Sequence, residues 1–177
     1  VAVAAANAPQ LCVLSGTVAA IARVEAGLRA DGVECQRLHL SVAAHSHLLD
    51  PHLAPFRARL RTLSLQPPVR PWLADVTGDW IEPERAVDPE YWVEHLRRTV
   101  QFQRCLAAVV AGGERLFVEV GPNANLGALV RALPAAANCA TVATMPHAQD
   151  DRPADLVLLR GLGQLWQHGV ELDWVAF

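Results

Sequence analysis

Four histidines fall within fourteen residues of this 177-residue chain: His39, His45, His47 and His52, the first three in a stretch that reads H-L-S-V-A-A-H-S-H-L-L-D-P from His39 to Pro51. Imidazole can ligate a metal or move a proton near neutral pH. The H-x-H pair at His45 and His47, with His39, His52 and Asp50 nearby, permits a zinc site, although H-x-H by itself is a weak signal. The other chemistry is general base work by His45, which the pattern places in a connection between elements, where a scaffold presents reactive side chains. A base needs a nucleophile to activate, and the chain has no G-x-S-x-G, no G-x-G-x-x-G after a strand and no phosphate-binding loop. Gly161 and Gly163 sit in a helical pattern with no strand before them.

The elements around the cluster follow from periodicity. Leu38, Leu40 and Val42 alternate with Arg37, His39 and Ser41, the period-2 signature of a half-buried strand. Asp50 followed by Pro51 predicts an N-cap with proline at the first helical position, and Leu53, Phe56, Leu60 and Leu63 supply the apolar stripe of that helix. Upstream, Gln10 to Ser15 fits a strand stopped by Gly16, and Thr17 can cap a helix carrying Ile21, Val24 and Leu28 before Asp31-Gly32 ends it. Prolines 67, 68 and 71 force an extended crossing, and Trp72 to Val76 predicts a strand turning at Thr77-Gly78-Asp79. The order expected for this half is β-α-β-α-β, a ferredoxin-like unit.

In the second half, Asp88-Pro89 opens a helix through Tyr91, Trp92 and Leu96, and a second helix from about Phe102 to Ala111 stops at Gly112-Gly113. Arg115 to Val120 predicts a strand, Asn123 or Asn125 precedes a helix with Leu126, Leu129, Val130 and Leu133, and Thr141 to Met145 predicts a further strand. Helices alternating with strands favour a parallel sheet. Met145 to Asp155 is the best linker candidate, and Leu156 to His168 predicts a last helix.

Composition narrows the function classes. Hydrophobic residues are 52% and charged residues 19%, with mean hydropathy +0.19, which fits a folded chain. The net charge of −3 and pI near 6.2 advertise no basic face, so nucleic acid is a poor partner. All 15 basic residues are arginine. Cys12, Cys35, Cys105 and Cys139 lack C-x-x-C spacing and read as reduced thiols of a cytoplasmic protein, and no apolar run reaches the ~20 residues of a membrane span. The chain opens in an apolar segment without an initiator methionine, as expected of a piece of something longer.

Four motifs occur in one order: N-A-P-x-x-C-V-L-S-G (Asn7 to Gly16), L-S-V-A-A-H-S-H-L-L-D-P (Leu40 to Pro51), D-P-E-Y-W-V-E-H-L-R (Asp88 to Arg97) and V-E-V-G-P (Val118 to Pro122). Together they resemble the acyltransferase domain of modular type I polyketide synthases, which is related to malonyl-CoA:acyl-carrier-protein transacylase. The ending L-x-x-L-W-x-x-G-V-x-L-D-W, Leu162 to Trp174, is similar to the linker after that domain.

The resemblance implies a mixed α/β fold: a ferredoxin-like subdomain (residues 7–78), the C-terminal part of an α/β-hydrolase-like core (79–145) and a post-acyltransferase linker (146–177). It implies acyl loading from acyl-CoA onto the phosphopantetheine of an acyl carrier protein, beside a ketosynthase, by a serine and histidine in ping-pong fashion with no resident cofactor or metal. The family histidine ends a four-residue motif matched by Val42-Ala43-Ala44-His45, so His45 is the implied base and Val42, Ala43 and Ala44 the implied acyl-facing wall. In the family a P-V-Q-W-like stretch orients that histidine through a backbone carbonyl; Thr99-Val100-Gln101-Phe102 matches it and gives Gln101 the role. Phenylalanine before the family histidine goes with malonyl and serine with methylmalonyl, so Ala44 implies a roomier pocket. The serine motif, G-H-S-x-G, and the arginine that grips the extender carboxylate are expected upstream of Val1, which predicts that these residues by themselves transfer no acyl group. Two other readings stay open, a non-catalytic docking element of a megasynthase and a small metal-binding protein.

Overall fold

The computed structural model describes residues 1–38, 40–122 and 124–176. The expectations resting on His39, Asn123 and Phe177 lie outside the described residues. The chain divides into two compact units, Val1–Ala108 and Val109–Phe177.

The first unit opens on a strand that periodicity missed. β1 (Ala2–Ala8) pairs antiparallel with β2 (Leu11–Ser15), with Ala2 opposite Ser15. Alanine has low β-propensity, so a run of alanines carries no strand signal. Pairing supplies what propensity does not, and β1 gains a second neighbour at Val100, which exchanges backbone bonds with Ala4 and Ala6 at 2.9 and 2.8 Å. The Thr99 hydroxyl donates to the Val3 carbonyl at 2.7 Å and ties the same place.

Helix α1 (Val18–Ala30) begins where expected, its Thr17 oxygen accepting from the Ala20 amide and Gly32 closing it at φ +79°. The strand expected across Arg37 to Val42 is absent among the described residues of that stretch, where Leu38, Leu40 and Val42 are 56%, 75% and 63% exposed. Alternation gives a strand a face to bury, but a strand also needs a ladder partner, and the described residues of this stretch pair with no strand.

The next helix also starts differently from the expectation. Ser46 caps a 3₁₀ turn, His47–Leu49, by accepting from the Leu48 amide, and α2 (Asp50–Leu60) continues from that turn. Asp50 is therefore already helical, and its carboxylate faces Arg97 instead of capping. β3 (Leu73–Ala74) and β4 (Asp79–Trp80) form a short hairpin with Gly78 at φ +74° in the turn. The order is thus β-β-α-α-β-β, not β-α-β-α-β, within a mixed α/β fold of the class expected.

α3 (Pro83–Ala86) precedes α4 (Pro89–Arg97), whose Asp88 carboxylate accepts from the Glu90 amide as the Asp-Pro pair predicts. α4 buries Tyr91 and Val93, and α5 (Phe102–Val110) buries Cys105 and Leu106.

In the second unit β5 (Leu116–Pro122) and β6 (Ala140–Met145) pair in parallel, joined through α6 (Asn125–Arg131), as the alternation predicts. The start of α6 is capped by the Glu119 carboxylate, which accepts from the Leu126 and Gly127 amides at 3.1 and 2.9 Å. α7 (Ala154–Gln167) packs on β6 and buries Val157, Gly161 and Leu165. No helix among the described residues is long and apolar enough to cross a membrane.

Candidate active site

His45 has φ +54° and is the non-glycine residue with positive φ among those described. That conformation costs an L-residue roughly 1–2 kcal/mol and persists where its surroundings over-determine it. Both flanks are tied down. The Ser15 hydroxyl at the end of β2 donates to the Ala44 carbonyl at 2.8 Å. The Ser46 hydroxyl, fully enclosed at 0% exposed, donates to the Ala43 carbonyl at 2.8 Å while its oxygen caps the turn that follows. The two carbonyls that lead into His45 are thus fixed by serines, one of them the residue that follows it.

The ring is held as firmly. Its Nδ1 lies 2.9 Å from the Arg98 carbonyl oxygen and 3.1 Å from that of His95. A carbonyl can only accept, so Nδ1 carries the hydrogen, and in the neutral imidazole the lone pair then belongs to Nε2. These carbonyls lie at the C-terminal end of α4, where the last turn of a helix leaves acceptors unsatisfied. Val100, two residues on, is locked to β1, so Arg98 has little freedom to drift.

Gln101 does not take the role the resemblance implies. Its amide donates to the Asp75 carbonyl at 2.7 Å and its own carbonyl accepts from the Cys105 amide at 3.0 Å in the first turn of α5. The orienting carbonyls belong to His95 and Arg98 because α4 ends under the ring, whereas Gln101 has already turned into the next helix. A backbone acceptor leaves no mark in residue identity, and the sequence could have pointed to these two only through the position of the α4 terminus.

Of the expected acyl wall, Ala43 and Ala44 are half-buried and adjoin His45, each with its carbonyl bound by a serine, while the Val42 side chain is exposed. His47 and His52 are exposed, and no group of three or more His, Cys, Asp or Glu side chains suited to a metal occurs among the described residues. Two surface depressions, of 450 Å³ by Trp166 to Trp174 and 420 Å³ by Glu84 to Glu94, are not lined by residues 42–45.

Behind His45 lies a layer that sequence reasoning did not single out. The His95 ring meets the His45 ring edge-on, centroids 6.1 Å apart, and also contacts Tyr91 and Trp92. His95 Nε2 is 3.5 Å from an Asp75 carboxylate oxygen, and the Cys105 thiol donates to the other at 3.6 Å. The His95 imidazole holds the Asp75 carboxyl below its usual range. Burial pushes the Cys105 thiol up to about 12, with the Asp75 charge adding to it, so Cys105 stays a neutral donor.

Comparison with known proteins adds an independent finding. Residues 1–171 match the family described as acyl transferase domain. A component of the phenolphthiocerol/phthiocerol polyketide synthase of Mycobacterium tuberculosis is 34% identical over 171 residues, 96% of this chain and 12% of that protein. Polyketide synthase GfsA of Streptomyces halstedii is 33% identical over 177 residues, all of this chain and 2% of that protein. Among solved structures, the acyl transferase domain of SpnD in complex with 2-(pent-4-yn-1-yl)malonyl superposes with a TM-score of 0.91 at 43% identity, covering 95% of this chain and 41% of that one. The acyltransferase domain from the second module of the salinomycin polyketide synthase gives 0.89 at 35% identity, covering 99% and 40%. The chain therefore spans about two fifths of those solved domains and a small fraction of the synthases.

Proposed function

Because this chain belongs to the acyl transferase domain family, we propose that it supplies the general base, His45, for loading an acyl unit from acyl-CoA onto an acyl carrier protein within a polyketide synthase. The observation that carries the reading is the pair of carbonyls on His45 Nδ1, which presents Nε2 as the proton acceptor. The nucleophile in this scheme is a serine of a segment outside these 177 residues. Its hydroxyl proton passes to Nε2 as the oxygen attacks the thioester carbonyl. Collapse of the adduct breaks the carbon–sulfur bond, and the imidazolium returns the proton to the departing CoA thiolate. The carrier protein's phosphopantetheine thiol then gives its proton to Nε2, takes the acyl group from the serine ester, and the serine oxygen recovers the proton.

Ala43 and Ala44 form the wall beside the acyl chain in this reading, and the small side chain at Ala44 suits an extender or starter bulkier than malonyl. The chain acts among the carrier protein and ketosynthase of a cytoplasmic assembly. The test joins these residues to a serine-bearing segment and follows acyl-enzyme formation from labelled acyl-CoA. His45→Ala is expected to slow it by about 10²–10⁴-fold, the usual worth of a general base. Retention of the full rate would overturn the assignment, and acyl-enzyme formed on the 177-residue chain by itself would overturn the placement of the nucleophile.

A further inference from the structure

We propose that Asp75 and His95 form an electrostatic support beneath His45, in which the Asp75 carboxylate stabilises the imidazolium that forms on His45 during proton transfer. The inference rests on His45 being the base. Asp50 pairs with Arg97, Glu90 with Arg57 and Arg61, and Glu94 with Arg85 and Arg98. Arginine is always charged, so those three carboxylates are permanently countered. Asp75 instead faces His95 at 3.5 Å, a partner that counters it only when protonated.

The carboxylate is fixed in place. Its backbone carbonyl accepts from the Gln101 amide, and Cys105 donates to one carboxylate oxygen. The His95 ring that it faces meets the His45 ring edge-on, and the His95 carbonyl is also one of the two acceptors on His45 Nδ1. The Asp75 charge attracts the positive charge that develops on the His45 ring as it takes the serine proton. The remaining groups facing the cluster change little across neutral pH. Tyr91 is pushed up by burial, Cys105 stays protonated, and the Arg98 guanidinium reaches toward Glu94. Asp75 is thus a positioning residue, since no proton passes to it and it acts through the His95 ring.

The experiment is acylation from labelled acyl-CoA by a serine-bearing polypeptide. Asp75→Asn is expected to lower kcat about fivefold with KM for acyl-CoA unchanged, and Asp75→Glu, which keeps the charge, is expected to recover most of the rate. An unchanged kcat in a folded Asp75→Asn variant, or equal rates for the Asn and Glu variants, would overturn the inference. If Asp75→Asn does not fold, Asp75→Ser supplies the neutral comparison. His45→Ala tests the base separately, so loss of the support and loss of the base are read apart.

Discussion

Ser15 donates its hydroxyl to the carbonyl of Ala44 at 2.8 Å, which joins the end of β2 to the residue before His45 across 29 positions of sequence. The carbonyl so fixed belongs to the peptide bond that enters His45, and a rotation there would lift the ring from the two carbonyls that hold Nδ1.

Ser15→Ala removes this bond without adding bulk. A lost hydrogen bond of about 1 kcal/mol corresponds to about a fivefold fall in the acylation rate if the lost order is felt in the transition state. We expect kcat to fall with KM for acyl-CoA unchanged in a serine-bearing polypeptide, and Ser15→Thr to recover the rate. Equal rates for the alanine and threonine variants would show that the bond does not position His45.

Ala44 offers a test of selectivity that follows from the proposed acyl wall. Ala44→Phe fills space beside His45 and is expected to move the preference toward malonyl over methylmalonyl by about tenfold or more, the scale of a methyl group in a close-fitting pocket. The measurement is a competition between the two CoA esters, and an unchanged product ratio would remove Ala44 from the wall.

Cys105 makes stability depend on alkaline pH. Its thiol is raised in the folded chain from 9.0 to about 12 by burial and the neighbouring Asp75. The folded state therefore holds a proton that the unfolded state releases, so this contribution is complete below pH 9.0 and declines as pH rises from there to about 12. Denaturant midpoints measured across that range should fall, and Cys105→Ala should fall less steeply. Parallel curves for the two proteins would show that the thiol does not drive the loss.

Gly161 and Gly163 are two residues apart on α7 and are expected to respond oppositely to alanine. A methyl group at Gly161 would come within 2.9 Å of the Ala143 carbonyl oxygen and 3.4 Å of a Val142 methyl, whereas one at Gly163 meets nothing within 4 Å. Gly161→Ala should destabilise by about 1–3 kcal/mol because β6 must give way. Gly163→Ala should stabilise by up to ~1 kcal/mol through helix propensity. Thermal unfolding of both variants is the check, and equal shifts would contradict the packing of α7 on β6.

Helix starts were legible where the signal is local: Thr17 before α1, Asp88-Pro89 before α4 and the parallel strands of the second unit all follow from caps and alternation within a few residues. Asp50-Pro51 carries the same local signal, but the cap moved to Ser46 because a 3₁₀ turn precedes the helix and Arg97 claims the Asp50 carboxylate. The strand expected across Arg37 to Val42 failed for another reason, that apolar alternation says nothing about an available partner.

The sequence by itself determined that His45 is the histidine to examine, through ordered motifs that surround it, and that its neighbours at Ala43 and Ala44 are small. Only the tertiary structure decided how that histidine is held. The acceptors on Nδ1 are backbone carbonyls 50 and 53 residues away, and every residue type carries the same carbonyl, so side-chain identity could not separate His95 and Arg98 from Gln101. The positive φ of His45 and the approach of Asp75 to His95 are likewise facts of the folded chain, which no spacing along the sequence records.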